Sequence, residues 1–120
     1  MPDNSVWYRR STPRGDTLTI DYQVINVTDG VETIVDITGC TFTYSCKTRP
    51  TSTGYVFQRT VGTGITLTNP TNGQLQIVVP AATMEIAPGD YYTDLQMVSG
   101  SVKTTRFREV LTVTPDITRT

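Results

Sequence analysis

The sequence predicts a small all-β domain, and three observations lead to that fold class. Threonine is the commonest residue, and its β-branched side chain suits a half-buried pleated surface better than a helix. Apolar and polar residues alternate with a period of two over several segments, as they do along strands with one wet face. Turn residues separate those segments at the short, regular intervals typical of sandwiches and small barrels.

Composition limits the classes of protein that remain. A chain of 120 residues suits one domain, and a domain of this size buries roughly two-thirds of the surface that its unfolded form exposes. The formal net charge of −1 gives no long-range attraction to nucleic acid or to a membrane. No stretch approaches the roughly 20 apolar residues that cross a bilayer, and the N-terminus lacks the apolar run of a signal peptide. We therefore expect a protein that is made and assembled in a cytosol.

Residues 1–16 differ from the remainder of the chain. They combine two prolines, three arginines and Trp7, the only tryptophan, without any periodicity. This composition predicts an N-terminal arm over residues 1–16, which leads into a β-sandwich domain over residues 17–120.

The alternation begins at Thr17 and predicts the first strand. Its core-facing residues are Leu18, Ile20, Tyr22 and Val24. Thr28-Asp29-Gly30 then supplies a turn, because its glycine takes positive φ without strain. A short strand-like run follows over residues 32–36.

A second alternation covers residues 40–46 and contains both cysteines. Cys40, Phe42, Tyr44 and Cys46 fall on one side, which we expect to face the core. A strand would hold the two cysteines roughly 20 Å apart, too far for a disulfide. We therefore predict two reduced cysteines that act as small core residues. A polar loop precedes the next strand, over residues 55–60.

Two further short strands are predicted over residues 64–68 and 74–79. They are joined by a segment that contains Asn72-Gly73, a strong turn signal. The next segment, residues 80–86, has helical character because a proline precedes alanines, methionine and glutamate, and proline is tolerated in a first helical turn. It is long enough for a turn or two at most.

The last two strands are predicted over residues 90–98 and 102–113, with Ser99-Gly100 as the hairpin turn between them. The whole pattern therefore comprises about seven short antiparallel strands and one short helical turn. Strands of this number and spacing are the signature of a sandwich or a small barrel, and we predict an immunoglobulin-like β-sandwich.

The residues that ordinary catalysis needs are missing from the sequence. It contains no histidine, which is the commonest general base and a common zinc ligand. Asp90 and Asp94 lie on one predicted strand about 13 Å apart, too far for a glycosidase pair unless a carboxylate from another strand completes it. No acidic run with an intervening glycine resembles a calcium loop. We therefore predict that the protein is not an enzyme and holds no metal or cofactor.

The arm carries the best candidates for a binding role. Trp7, Tyr8, Arg9 and Arg10 lie together outside the periodic region, and aromatic and arginine side chains are enriched at protein interfaces. We interpret these four residues as a partner-binding arm. The alternative is that Trp7 folds back and caps one end of the sandwich. Three arginines without a wider basic face would bind nucleic acid only weakly, so nucleic acid is not an expected partner.

The order of turn and strand motifs resembles that of a known group of proteins. The motifs are Arg14-Gly-Asp-Thr17, Val35-Asp-Ile-Thr-Gly39, Thr71-Asn-Gly-Gln-Leu75, Ala87-Pro-Gly-Asp-Tyr-Tyr92, Asp94-Leu-Gln96 and Val113-Thr-Pro-Asp-Ile-Thr-Arg119. In this order the chain resembles small virion proteins of tailed bacteriophages and prophages. It is similar to the immunoglobulin-like N-terminal domain of upper baseplate and fibre-attachment proteins.

This resemblance implies an assembly role in a virion that is put together in the host cytoplasm. The chain would be a structural adaptor that joins the tail or baseplate to fibres, with other virion proteins as partners and a homo-oligomer in the particle. The expected contact modes are strand addition at an exposed edge and burial of Trp7. A capsid decoration protein on the head exterior is one alternative. A carbohydrate-binding β-sandwich module is another, with Tyr8, Tyr55, Tyr91 and Tyr92 as candidate sugar contacts.

Overall fold

A computed structural model describes residues 7–115 of the chain. These residues form ten β-strands and one short 3-10 helix, Pro70–Asn72. The strands are β1 (Trp7–Pro13), β2 (Leu18–Gln23), β3 (Ile25–Thr28), β4 (Val31–Ile34), β5 (Thr41–Lys47), β6 (Phe57–Val61), β7 (Gly64–Asn69), β8 (Gln74–Val79), β9 (Gly89–Ser99) and β10 (Val102–Thr114). The predicted all-β class is confirmed. No helix among the described residues is long and apolar enough to cross a membrane.

Eight of the strands form one hydrogen-bonded sheet in the order β1-β10-β9-β5-β6-β7-β8-β2. β3 and β4 form a separate two-stranded sheet. The expectation of antiparallel strands throughout was wrong, because β1 pairs with β10 and β6 pairs with β7 in parallel. The β1–β10 pair joins the two ends of the described chain. Nearly the whole described chain connects β1 to β10, whereas only Gly62 and Thr63 separate β6 from β7, which pair over two residues.

The inner faces of the large sheet enclose a single core. Burial alternates along β5, where Phe42, Tyr44 and Cys46 are buried and the residues between them are more exposed. β8 and β9 alternate in the same way. Because every second residue of a strand points to the same face, these strands can bury one side each and leave the other polar. The predicted period-two strands are confirmed, and both cysteines are free and buried.

The chain leaves the large sheet after β2 and forms a hairpin before it returns at β5. The N–H of Val24 donates to the carbonyl of Gly73 at 2.8 Å, and the N–H of Val35 donates to the carbonyl of Val24 at 3.0 Å. Between these anchors, β3 and β4 are joined by Asp29 and Gly30, which have φ values of 52° and 79°. Positive φ at both central residues is the type I′ geometry of a tight hairpin. All four residues of β4 are exposed.

The segment over residues 80–86, which was expected to form a turn or two at most, forms one hydrogen-bonded turn. The N–H groups of Thr83 and Met84 both donate to the carbonyl of Pro80, at 2.9 and 3.2 Å. A segment this short cannot offset the cost of helix nucleation by propagation. The 3-10 helix lies elsewhere, at Pro70–Asn72, where Gly73 ends it with a φ of 69°.

Part of the predicted arm belongs to the sheet. Residues 7–13 form β1, and the next residues make a turn in which the N–H of Gly15 donates to the carbonyl of Met84 at 3.0 Å. The side chain of Arg14 bonds to the carbonyl of Ile86 at 3.1 Å and to Glu85 at 3.2 Å. These contacts fix the path of the chain from β1 into β2.

Candidate interaction site

A groove of about 330 Å³ lies where the two ends of the large sheet approach each other. We call it the β1–β2 groove. It is lined by residues 8–10 of β1, residues 20–22 of β2, and Arg106, Phe107 and Glu109 of β10. β1 and β2 are the two terminal strands of the sheet order, so the groove marks the place where the sheet does not close on itself.

Each terminal strand has one paired edge and one free edge. β1 pairs with β10, and β2 pairs with β8. Neither has a second partner strand among residues 7–115. The backbone N–H and C=O groups that point away from the paired neighbour are therefore available to another chain. These two free edges are the part of the groove that could form hydrogen bonds with an added strand.

Three of the four residues of the predicted binding arm line this groove. Tyr8 is 48 % exposed, Arg9 is exposed, and Arg10 is half-buried. Trp7 begins β1, but its side chain lies outside the described part of the structure. Register with β10 pairs Tyr8 with Glu109 and Arg10 with Leu111. Tyr8 and Arg10 therefore share the inner face of β1, and Arg9 points to the outer face.

A buried carboxylate anchors the inner face of β1. The guanidinium Nε of Arg10 donates to Oε2 of Glu109 at 2.9 Å. The other oxygen of Glu109 accepts from the Tyr44 hydroxyl at 3.4 Å and from the Thr93 hydroxyl at 3.3 Å. Burial, together with the charge of Glu109, raises the pKa of Tyr44 far above its ordinary value. Tyr44 is therefore a neutral donor to the carboxylate.

β2, the opposite wall of the groove, contacts β10 through two aromatic rings, and Arg106 of β10 bonds to β3, which follows β2. Arg106 Nη2 donates to the carbonyl of Ile25 at 2.9 Å and to Oδ1 of Asn26 at 3.0 Å. The rings of Tyr22 and Phe107 meet edge to face, with centroids 5.0 Å apart. Burial raises the pKa of Tyr22, although nearby Arg106 opposes the shift. This side of the groove therefore combines aromatic rings with the cationic side chain of Arg106.

The outer face of β1, β10, β9 and β5 is rich in cations. Asp94 is half-buried there, beside Lys47, Arg108 and Lys103. Burial raises the pKa of Asp94, and the three cations oppose that rise. A shallow depression of about 150 Å³ lies at this place.

The candidate sugar contacts do not form one platform. Tyr91 is only 8 % exposed and its hydroxyl donates to the carbonyl of Ala87 at 2.7 Å. Tyr92, the next residue of β9, is half-buried and points to the opposite face of the sheet. Tyr55 is 57 % exposed in the loop before β6. These tyrosines therefore do not face one common surface.

The remaining ionisable groups are dispersed. Asp90 accepts a hydrogen bond from the Thr112 hydroxyl at 2.7 Å, which ties β9 to β10 at the protein surface. Among residues 7–115, no group of three or more histidine, cysteine, aspartate or glutamate side chains is placed to hold a metal ion. Neither Glu109 nor Arg106 was predicted from the sequence as a residue of the site. Glu109 had a signal, since it occupies an inward position between Phe107 and Leu111 in an otherwise apolar series.

No protein-family model matches the chain, and a search of curated proteins finds no significant match.

Proposed function

We propose that the protein is a structural component of a tailed-phage virion, assembled in the host cytoplasm. It is a non-enzymatic adaptor that joins the tail or baseplate to fibres, and it acts through contacts with other virion proteins and with copies of itself. The turn and strand motifs between Arg14 and Arg119 support the phage assignment. The open β1–β2 groove is the observation that carries the binding role, because it combines two free strand edges with aromatic and arginine side chains.

The immunoglobulin-like sandwich is part of this proposal, and strand order supports it. The link between β6 and β7 comprises only two residue pairs, Thr60 with Gly64 and Val61 with Ile65. On either side of that link, β2-β8-β7 and β5-β9-β10 are neighbouring strands. In chain order these six strands match B, E, D and C, F, G of the immunoglobulin fold, whose two sheets have that composition. β1 would then extend the second sheet beside its last strand.

A binding role accounts for the groove better than a catalytic one does. The carboxylate of Glu109 is bonded to Arg10, Tyr44 and Thr93, so its oxygens are engaged inside the fold. The other groups that line the groove are aromatic, aliphatic or arginine side chains, apart from Asp21, which accepts from Gln76 at 3.0 Å. Such groups recognise a surface and do not transfer protons near neutral pH.

Quantitative mass spectrometry of purified virions tests the proposal. We expect the protein in copies of a few to some dozens per particle, in fixed ratio to tail or baseplate proteins. Copies in the hundreds, in ratio to the major capsid protein, would identify a decoration protein on the head exterior instead. If washed particles contain none of the protein, the virion role is wrong.

A further inference from the structure

We propose that the β1–β2 groove receives an extended acidic segment of a partner protein, which adds as a new strand to the free edge of β1. The identification of that partner as a virion protein rests on the proposed function above. The mode of recognition does not, because it follows from the groove alone. Strand addition supplies affinity through main-chain hydrogen bonds and specificity through alternate side chains.

The free edge of β1 is long enough for such an addition. β1 runs for seven residues, Trp7–Pro13, and all seven are in register with β10 on the other side. A strand fixed along one edge over its whole length holds its outer N–H and C=O groups at the spacing that another strand needs. Proline stands only at the last position, Pro13, so it interrupts the outer ladder at its end and not at its centre.

The inner side of the groove favours apolar residues on the incoming strand. Tyr8 is 48 % exposed and faces this side. Ile20, Tyr22 and Phe107 form the adjoining surface, and the Tyr22–Phe107 ring contact of 5.0 Å holds it in place. Partly exposed aromatic side chains next to a desolvated pocket are the usual anchors of a protein interface. Glu109 does not oppose an apolar side chain there, because Arg10 neutralises it.

The outer side favours carboxylates. Arg9 is exposed and forms no ion pair or hydrogen bond with another described residue. Lys47, Lys103 and Arg108 lie on the same outer face as Arg9. Among residues 7–115, the carboxylates on this face are Asp90 and Asp94, so the described cations outnumber the described anions. A residue opposite Arg9 on an added strand would lie about 5 Å from it between Cβ atoms, within the range of cross-strand charge pairs.

The two sides together specify a sequence pattern. Successive residues of a strand point to opposite faces, so the incoming segment should alternate apolar and acidic residues. A basic segment would be repelled by Arg9 and the neighbouring cations of the outer face. Single-stranded nucleic acid would satisfy the charge but cannot use the backbone edge of β1, since it offers no ladder of amide groups.

A titration with defined peptides tests the proposal on the full-length protein in the absence of virions. The probe is a capped hexapeptide that alternates valine and glutamate, added at millimolar concentration to isotopically labelled protein. We expect amide shifts in the NMR spectrum confined to β1, β2 and the facing part of β10. The same peptide with lysine in place of glutamate should not bind. A form N-methylated at alternate residues should also fail, because it cannot complete the ladder.

Matched protein variants separate the charge of the groove from the charge of the whole protein. Arg9→Glu should weaken the peptide roughly fivefold to tenfold. Arg49→Glu makes the same change in charge at an exposed loop residue and should leave the affinity unchanged. Equal effects of the two variants, shifts outside the groove, equal binding of the N-methylated peptide, or stronger binding of an oligothymidylate would each overturn the proposal. None of these results depends on whether the protein is found in virions.

Discussion

Arg10 and Glu109 lie 99 residues apart in sequence and form an ion pair of 2.9 Å on the inner face of the sheet. The side chain of Glu109 is 6 % exposed and that of Arg10 is 35 % exposed. The pair therefore holds β1, which has one neighbouring strand in the described part of the chain, against the end of the core. It also explains how a carboxylate can occupy an inward position of β10.

Removal of the Arg10 charge should destabilise the fold. In Arg10→Met, Glu109 stays buried without its cation, and such a loss is costly even though solvent near Arg10 reduces it. We expect the free energy of unfolding to fall by about 1–3 kcal/mol, measured by urea denaturation.

The matched control is Arg9→Met, on the exposed face of the same strand, which should change stability by less than about 0.5 kcal/mol. Addition of Glu109→Gln to Arg10→Met should restore part of the loss, because the amide oxygen still accepts from Tyr44 and Thr93. If Arg10→Met is as stable as Arg9→Met, the ion pair does not hold β1.

Gly73 and Gly30 both have positive φ, and we expect substitution to be tolerated less well at Gly73 than at Gly30. The φ of Gly73 is 69°, and an added Cβ would lie 2.6 Å from the carbonyl oxygen of Val35 and 2.8 Å from that of Val24. Both oxygens are backbone atoms and cannot rotate away. Gly30 has a similar φ of 79° but nothing within 4 Å of an added Cβ.

Gly30→Ala should therefore cost only the strain of a left-handed residue, about 1–2 kcal/mol. Gly73→Ala should cost clearly more, or prevent folding. The comparison is made by thermal denaturation, with circular dichroism used to establish that each variant is folded. Equal costs for the two variants would show that the chain around Val24 and Val35 can move aside.

Asp94 should titrate above the ordinary aspartate pKa of 3.8 because it is half-buried. Of the three cations that oppose this rise in the pKa, Lys47 has the largest effect. Lys47→Met should therefore raise the pKa of Asp94 further, and Lys103→Met should raise it less. NMR titration of the Asp94 carboxyl carbon measures all three values. A midpoint at or below 3.8 in the unmodified protein, or an equal response to the two lysine variants, would contradict this account.

The same shift has a defined effect on stability. A carboxyl pKa that is raised on folding means that the folded state binds more protons than the unfolded state between the two pKa values. The contribution of Asp94 to the free energy of unfolding is thus largest below the ordinary pKa and falls as the pH rises through the raised value. Asp94→Asn should remove this component of the pH dependence.

Both cysteines should resist chemical modification in the folded protein. Cys40 and Cys46 are buried, and burial raises the pKa of the Cys46 thiol to about 12. Because the thiolate is the reactive form, iodoacetamide should label neither residue under native conditions and both in guanidinium chloride. Intact mass measurement counts the added groups. Rapid labelling of Cys46 in the native protein would place it outside the core.

The local pattern of the sequence was enough to predict most strands. The alternation of polar and apolar residues runs from Gln74 to Val79, and β8 has the same bounds. The hairpin turn at Asp29-Gly30 forms as its residue types indicate. These features depend on neighbours in sequence. β1 could not be found in the same way, because β10, with which it pairs, lies about a hundred residues away and no turn joins the two strands.

The candidate site was predicted in part. Tyr8 and Arg9 line the groove and are exposed, and their contact with a partner stays a prediction. Arg10 was grouped with them by proximity in sequence, and its bond to Glu109 could not be inferred because it depends on the parallel register of two distant strands. The groove itself also depends on tertiary structure, since it exists only where β1 and β2 approach without pairing.

Photo-crosslinking during infection tests the central claim most directly. A photoreactive phenylalanine derivative would replace Tyr8 in the groove in one variant and Tyr55 in the loop before β6 in the other, and purified particles would be examined by mass spectrometry. The account predicts a crosslink from position 8 to an acidic segment of another virion protein, and none of comparable yield from position 55. Crosslinks from position 55 alone, or particles that incorporate the protein without any crosslink from position 8, would contradict it.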